Sequence, residues 1–280
     1  MRDDRASFAR PFALQTPPIR TDRRATPDGA LAPELLPTQI RLAQIIAMVH
    51  TASVLHEGVA AGSGAAKGNK LAILGGDFLL GRASAALASL GAVEAVELIA
   101  AAIANTVEGA VLRIQPPMEA AAPADAWDAY VKRVYLGGAS LMAKGARAAV
   151  VLGGCTAPTR LPEVAYAYAR NMGIAQHIME DVREWEAGAS FGGDAEEWVA
   201  PAPLLCAWDA CPEVGALIQR RLADESDIDM ARAIVDEHDG RHRARDIARR
   251  YAAQAREVLG VLPESSARTA LETLTVDGLE

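Results

Sequence analysis

From Thr38 onward, apolar residues return at helical spacing in one block after another, alanine fills many of the positions between them, and no block shows the strict alternation of a strand. Alanine has the highest intrinsic helix propensity, and its small side chain lets helices approach closely. With 51% hydrophobic residues but only 5% aromatic ones, a chain of 280 residues has material for a sizeable core of helices rather than sheets. The expected fold class is all-α. The first block carries Leu42, Ile45, Ile46, Val49 and Leu55, with Thr38 as its expected cap after Pro37. Gly58, Gly62, Gly64 and Gly68 mark a connection. Further helices are expected over about 69–90, 93–114, 125–148 (capped by Asp125), 161–186, 202–221, 229–237, 242–260 and 264–274, with an Ala/Pro linker after Pro116 and Pro117.

A net charge of −8 argues against a nucleic-acid partner. The basic run Arg241, His242, Arg243, Arg245, Arg249 and Arg250 has acidic neighbours and reads as a solvated helix face. Cys155, Cys206 and Cys211 form no close pair and lie far from the histidines, so neither a zinc site nor a disulfide framework is expected. No uninterrupted apolar run of transmembrane length occurs: Glu97, Asn105 and Glu108 break the stretch from Ala95 to Leu112, and no transmembrane segment is expected. The first 37 residues hold Pro11, Pro17, Pro18, Pro27, Pro33 and Pro37 without a helical period and read as an irregular segment. Their arginines are mixed with Asp3, Asp4, Asp22 and Asp28, which makes a weak transit-peptide signal.

Several blocks in order carry a resemblance. The run Leu42 to His56, then Gly68-Asn69-Lys70 through Gly75-Gly76-Asp77-Phe78-Leu79-Leu80, then Glu94 to Glu108, resembles the trans-polyprenyl diphosphate synthase family. Ala139-Ser140-Leu141, Gly173-Ile174-Ala175, Ala207-Trp208 and Pro263-Glu264-Ser265 extend the similarity over about Leu35 to Leu274. The match looks nearest to fungal long-chain hexaprenyl and decaprenyl synthases of ubiquinone side-chain synthesis, and especially to the degenerate second subunit of heteromeric decaprenyl enzymes. The resemblance implies an isoprenoid synthase-type helical bundle, here a truncated domain over 38–280 whose first helices have no counterpart in 1–37. It also implies a mitochondrial setting, with the cytoplasm as the other option.

Active members of that family hold magnesium ions and an allylic diphosphate between two aspartate-rich motifs, because metal-bridged carboxylates neutralise the departing diphosphate. The first motif aligns here with Glu57-Gly58-Val59-Ala60-Ala61, so that Glu57 alone is acidic while Gly58 and Ala61 replace carboxylates. The second aligns with Glu180-Asp181-Val182-Arg183-Glu184 and keeps acids at all three positions. Glu180, Asp181 and Glu184 are therefore the candidate magnesium ligands, against the alternative of a solvated acidic patch. A Lys-Thr pair expected to contact diphosphate is replaced by Gly137-Gly138, and Gln176-His177 stands for Phe-Gln. The arginine pair after the first motif, and a lysine expected near Ser190-Phe191, also lack counterparts. Each lost cation removes charge-assisted contacts to a diphosphate.

His50 and His56 sit at family positions where packing or hydrogen bonding is expected. His177 fits either the old cavity or a satisfied core site, and Asp77 is expected to make a structural hydrogen bond. No residue is expected to be catalytic on this pattern. Apolar periodicity is intact where the chemistry is lost, which implies a non-catalytic subunit. Its expected partner is a catalytic long-chain synthase, or a second copy of itself. The alternative is a terpene synthase-like enzyme or altered prenyltransferase that uses magnesium and the second motif on an allylic diphosphate.

Overall fold

The computed structural model describes residues 35–59, 66–114, 122–155, 160–188 and 198–279, and all regular structure among them is helical. It divides into two compact units, residues 1–97 with 151–154, and residues 98–150 with 155–280. The expectation of an irregular segment over 1–37 falls almost wholly outside the described residues.

In the first unit, α1 (Pro37–Glu57) pairs along its length with α2 (Ala66–Ala88). Leu42, Ile45, Val49 and Ala52 recur at spacings of three and four, share one face of α1 and are buried. Thr38 is not the cap. Leu36 occupies that position, Pro37 is the first helical residue, and the Leu36 N–H donates to Gln39 Oε1 at 2.9 Å. Pro37 has no N–H to leave unsatisfied, so it suits a first turn. A Cβ placed on Gly76 would overlap the His56 imidazole, so this glycine is what lets α2 approach the end of α1.

α3 (Val93–Ile114) begins in the first unit and continues into the second. The second unit then carries α4 (Pro123–Val134), a π-helical turn (Tyr135–Ala139), α5 (Ser140–Leu152) and α6 (Leu161–Glu186). It goes on through α7 (Ala202–Trp208), α8 (Glu213–Gln219), α9 (Glu225–Glu237), α10 (Gly240–Val258), a 3₁₀ turn (Leu259–Val261) and α11 (Ser266–Asp277). The core of this unit is the packing of α10 on α6. Ala244, Ala248, Ala252 and Ala255 form a buried stripe of small residues on α10, and Ile174, Ile178 and Val182 form the apolar stripe of α6. Small against large side chains lets the two axes approach and interdigitate. Arg220 closes a two-point pair with the buried Asp227, at 3.0 and 2.7 Å, ahead of α9.

Two expected helices are broken. The segment 125–148 widens into the π turn at Tyr135–Ala139, and 202–221 is split between Trp208 and Glu213, where Pro212 supplies no N–H and disfavours helix at Cys211. Asp125 does not cap α4: Ala122 does, Pro123 is the first helical residue, and Asp125 lies in the first turn, where its charge favours the helix dipole.

Both α2 and α3 leave large apolar residues in solvent. Leu71, Ile73, Leu74 and Phe78 are exposed on α2, and Val93, Val107 and Val111 on α3. By length and composition α2 and the Val93–Leu112 part of α3 are long and apolar enough to cross a membrane. A search for an uninterrupted apolar run does not register this, because isolated charges interrupt both helices without removing their overall apolar character.

Candidate functional site

The first-motif positions lie at an end of a helix. Glu57 is the last residue of α1, and Gly58 caps it, with the Gly58 N–H donating to the Val54 carbonyl and the Val59 N–H to the His56 carbonyl. A motif that presents carboxylates one turn apart needs the helix to continue past its first residue. Here the helix stops where the motif begins, and Ala61 lies outside the described residues. Just ahead, His56 Nε2 stands 3.4 Å from Asp77 Oδ1, an ion-pair distance when the imidazole is protonated. Asp77 thus turns to His56 within the α1–α2 pair, and His50 is exposed on the outer side of α1.

The second-motif positions lie on α6 in the second unit. Asp181 is largely covered, with 14% of its side chain exposed, whereas Glu180 is 62% exposed and Glu184 is exposed. Asp181 Oδ2 accepts two hydrogen bonds, from the Tyr130 O–H at 2.8 Å and from the Ala202 N–H at 2.8 Å. Ala202 is the first residue of α7, where backbone N–H groups lack intrahelical partners, so the carboxylate ties the start of α7 to α6 and α4. Burial, then the neighbouring Asp181 charge and the hydrogen bond to it, push the Tyr130 phenol well above its usual range, so the phenol remains a donor. His177 flanks the same acids, with Nδ1 3.7 Å from Glu180 Oε2 and Nε2 3.9 Å from Asp181 Oδ1. It is half-exposed, and of its two expected placements the structure shows it beside the acidic motif rather than in the core.

Magnesium asks for an octahedral oxygen set, with one or two carboxylates supplemented by water and phosphate oxygens. Among the described residues no three His, Cys, Asp or Glu side chains converge to hold a metal ion. Glu180 and Glu184 share an exposed face one turn apart, but Asp181 is engaged as a structural acceptor. The donor set does not make a magnesium site by itself.

Gly137 and Gly138 lie in the π turn, a helix distortion frequent at functional sites. A Cβ at either position would meet nothing within 4 Å. Gly109 of α3 packs against this turn, where an added Cβ would fall 2.9 Å from the Gly137 nitrogen. Nearby, the Tyr135 and Tyr166 hydroxyls meet at 2.6 Å. Burial, then the bond to Tyr166, raises the Tyr135 phenol to about 12. Lys144 Nζ donates to the Ala101 carbonyl at 3.0 Å. Sequence reasoning missed Tyr130, Ala202 and the tyrosine pair. Nothing in the sequence local to Tyr130 and Tyr135 signals partners 51 and 31 positions away.

The Polyprenyl synthetase family model matches residues 29–237. The chain is 38% identical over 259 residues to a probable mitochondrial hexaprenyl pyrophosphate synthase of Yarrowia lipolytica, covering 86% of this chain and 57% of that protein. It is 36% identical over 258 residues to decaprenyl-diphosphate synthase subunit 1 of Schizosaccharomyces pombe, covering 86% and 68%. The chain therefore spans less than three fifths of the length of its Yarrowia relative. Among solved structures it resembles an Arabidopsis medium/long-chain prenyl pyrophosphate synthase, with TM-score 0.70 and 30% identity over 86% of this chain and 81% of the other. It also resembles a polyprenyl synthase of Roseobacter denitrificans, with TM-score 0.74 and 25% identity over 86% and 78%. The expected isoprenoid synthase-type helical fold is thereby borne out, and the mitochondrial setting expected from the resemblance is that of the Yarrowia relative. By sequence and by fold, this chain belongs to the polyprenyl synthetase family.

Proposed function

We propose that this chain is a catalytically degenerate polyprenyl synthase-like subunit, which supports a separate long-chain trans-polyprenyl diphosphate synthase in isoprenoid synthesis, in mitochondria as for its fungal relatives. The observation that carries this reading is the end of α1 at Glu57, with Gly58 as its cap. Of the first-motif positions, only Glu57 lies within that helix. Asp181 supports the same reading, because its carboxylate is engaged by Tyr130 and Ala202. In this proposal residues 38–280 act as one synthase-like domain, and the exposed apolar faces of α2 and α3 pair with a catalytic homologue by preference and with a second copy otherwise.

Coexpression with a catalytic long-chain synthase, followed by co-purification and product analysis, tests the proposal. A stable heteromer whose output of long-chain product exceeds that of the partner alone supports it. A chain that never co-purifies with such a partner removes it. The exposed pair Glu180 and Glu184 favours one second reading, an enzyme that ionises an allylic diphosphate with magnesium in the manner of terpene synthases. Magnesium-dependent diphosphate release by the lone protein, abolished in Glu180→Gln and Glu184→Gln, would put that reading first.

A further inference from the structure

The second unit has a cleft of about 660 Å³ between the first turn of α4, the end of α7 and the outer face of α10. That volume lies within the usual range for small-molecule sites, roughly 300–1,000 Å³. From α10 come Arg243, Ile247, Arg250 and Tyr251, residues at spacings of four, seven and eight that share one side of the helix. Trp127 of α4 faces them, and its ring is held in place by stacking on Tyr130 at 5.1 Å between centroids. Leu205 of α7 adds to the apolar lining.

The charges in this cleft are uneven. Arg243 donates to the Cys206 carbonyl at 3.2 Å, and Arg250 Nε to the Asp246 carbonyl at 3.4 Å. A guanidinium has five N–H groups, so each arginine keeps donors to spare. Among the described residues, no carboxylate lies at ion-pair distance from either arginine. The Asp246 carboxylate, also at the cleft, is taken by His242 at 3.1 Å and Arg249 at 2.9 Å. Asp209 supplies one further negative charge at the rim. Two arginines against that single carboxylate leave one positive charge over, beside two aromatic rings and two aliphatic side chains.

We propose that this cleft binds an aromatic monocarboxylate, its ring system between Trp127 and Tyr251 and its carboxylate on Arg250 and Arg243. A carboxylate matches the planar fork of a guanidinium, and a single negative charge matches the excess. Nothing in this inference depends on the subunit proposal, since no residue of either acidic motif lines the cleft.

Calorimetric titration of the full chain with biphenyl-4-carboxylate, and with the neutral biphenyl-4-carboxamide, tests it. Two variants accompany the wild type: Arg250→Gln, which removes a cation, and Gln254→Glu, which adds a carboxylate at the exposed edge of the cleft. Both positions are exposed, so melting temperatures are expected to stay at the wild-type value. The expected result is saturable one-to-one binding of the carboxylate, with the amide and each variant weaker by about tenfold or more. Absence of saturable binding, equal binding of the amide, or affinity unchanged in both variants overturns the proposal; the last places the ligand elsewhere, for instance on the apolar faces of α2 or α3.

Discussion

Asp181, which the resemblance aligns with a motif acid, has a carboxylate that serves the fold. With Tyr130 and Ala202 both donating to Oδ2, the side chain joins three helices. Tyr130→Phe leaves the carboxylate one donor short in a covered site, and is expected to destabilise the fold by about 1.5–3 kcal/mol in denaturant titration, the usual range for a hydrogen bond to a charged group. A loss below a few tenths of a kcal/mol would show that the bond is not formed in solution. Cys206 supplies a pH prediction. Burial raises its thiol from the ordinary 9.0 to about 12, and the Tyr130 phenol is raised as well. The sign follows from proton counting: between about pH 9 and 12 the unfolded chain has released protons that the folded chain still holds, so folding stability is complete below pH 9 and falls as pH rises through that window. Melting temperature should decline above pH 9, and Cys206→Ser should flatten part of that decline. The thiol should also resist alkylation at pH 8 until the chain unfolds.

Helices α2 and α3 raise a different question, because each buries one side and leaves another apolar side in water. Phe78 on α2 is 56% exposed and Val107 on α3 60%, and exposed apolar helix faces are candidates for an interaction site. Ala102 of α3 is fully buried within the chain, so an arginine there would disrupt the fold and report nothing about association. Phe78→Arg and Val107→Arg are the informative changes. Each should leave the circular dichroism spectrum unaltered while weakening association by several kcal/mol, through an unpaired charge buried at the contact. Sedimentation of the wild type and the two variants, with and without a catalytic synthase, reads this directly. Identical sedimentation of all three would show that these faces remain in solvent. The π turn belongs to this scale too: it holds Gly137 and Gly138, where an added Cβ would meet nothing within 4 Å.

For the whole molecule, the subunit proposal leads to one expectation about activity. The lone protein should not condense isopentenyl and farnesyl diphosphates, and Gly137→Lys with Gly138→Thr should not rescue it, because Gly58 and Ala61 would still supply no carboxylate. Radiolabel incorporation into prenyl products checks both. Elongation at about 1 per second or faster, the ordinary range of enzymes, would overturn the proposed loss of catalysis.

The sequence by itself determined the fold class and the family, since helical period, alanine content and ordered blocks such as Gly68 to Leu80 are carried by local pattern and need no partner across space. It also placed α3 and α6 at their observed limits, Val93–Ile114 and Leu161–Glu186, because flanking breakers and apolar repeats agree there. Where the local signal is split, the reading slips: one helix was expected over 125–148, although the widening at Tyr135–Ala139 leaves no mark in the apolar repeat. Only tertiary structure decided that Asp181 engages Tyr130 and Ala202, that Asp77 turns to His56, and that Arg243 and Arg250 share a cleft with Trp127. These are contacts between residues distant in sequence, and a carboxylate or guanidinium reads the same in the chain whether it meets water, a metal or a buried phenol. Its role is set by which neighbours the packing of helices brings within hydrogen-bonding reach.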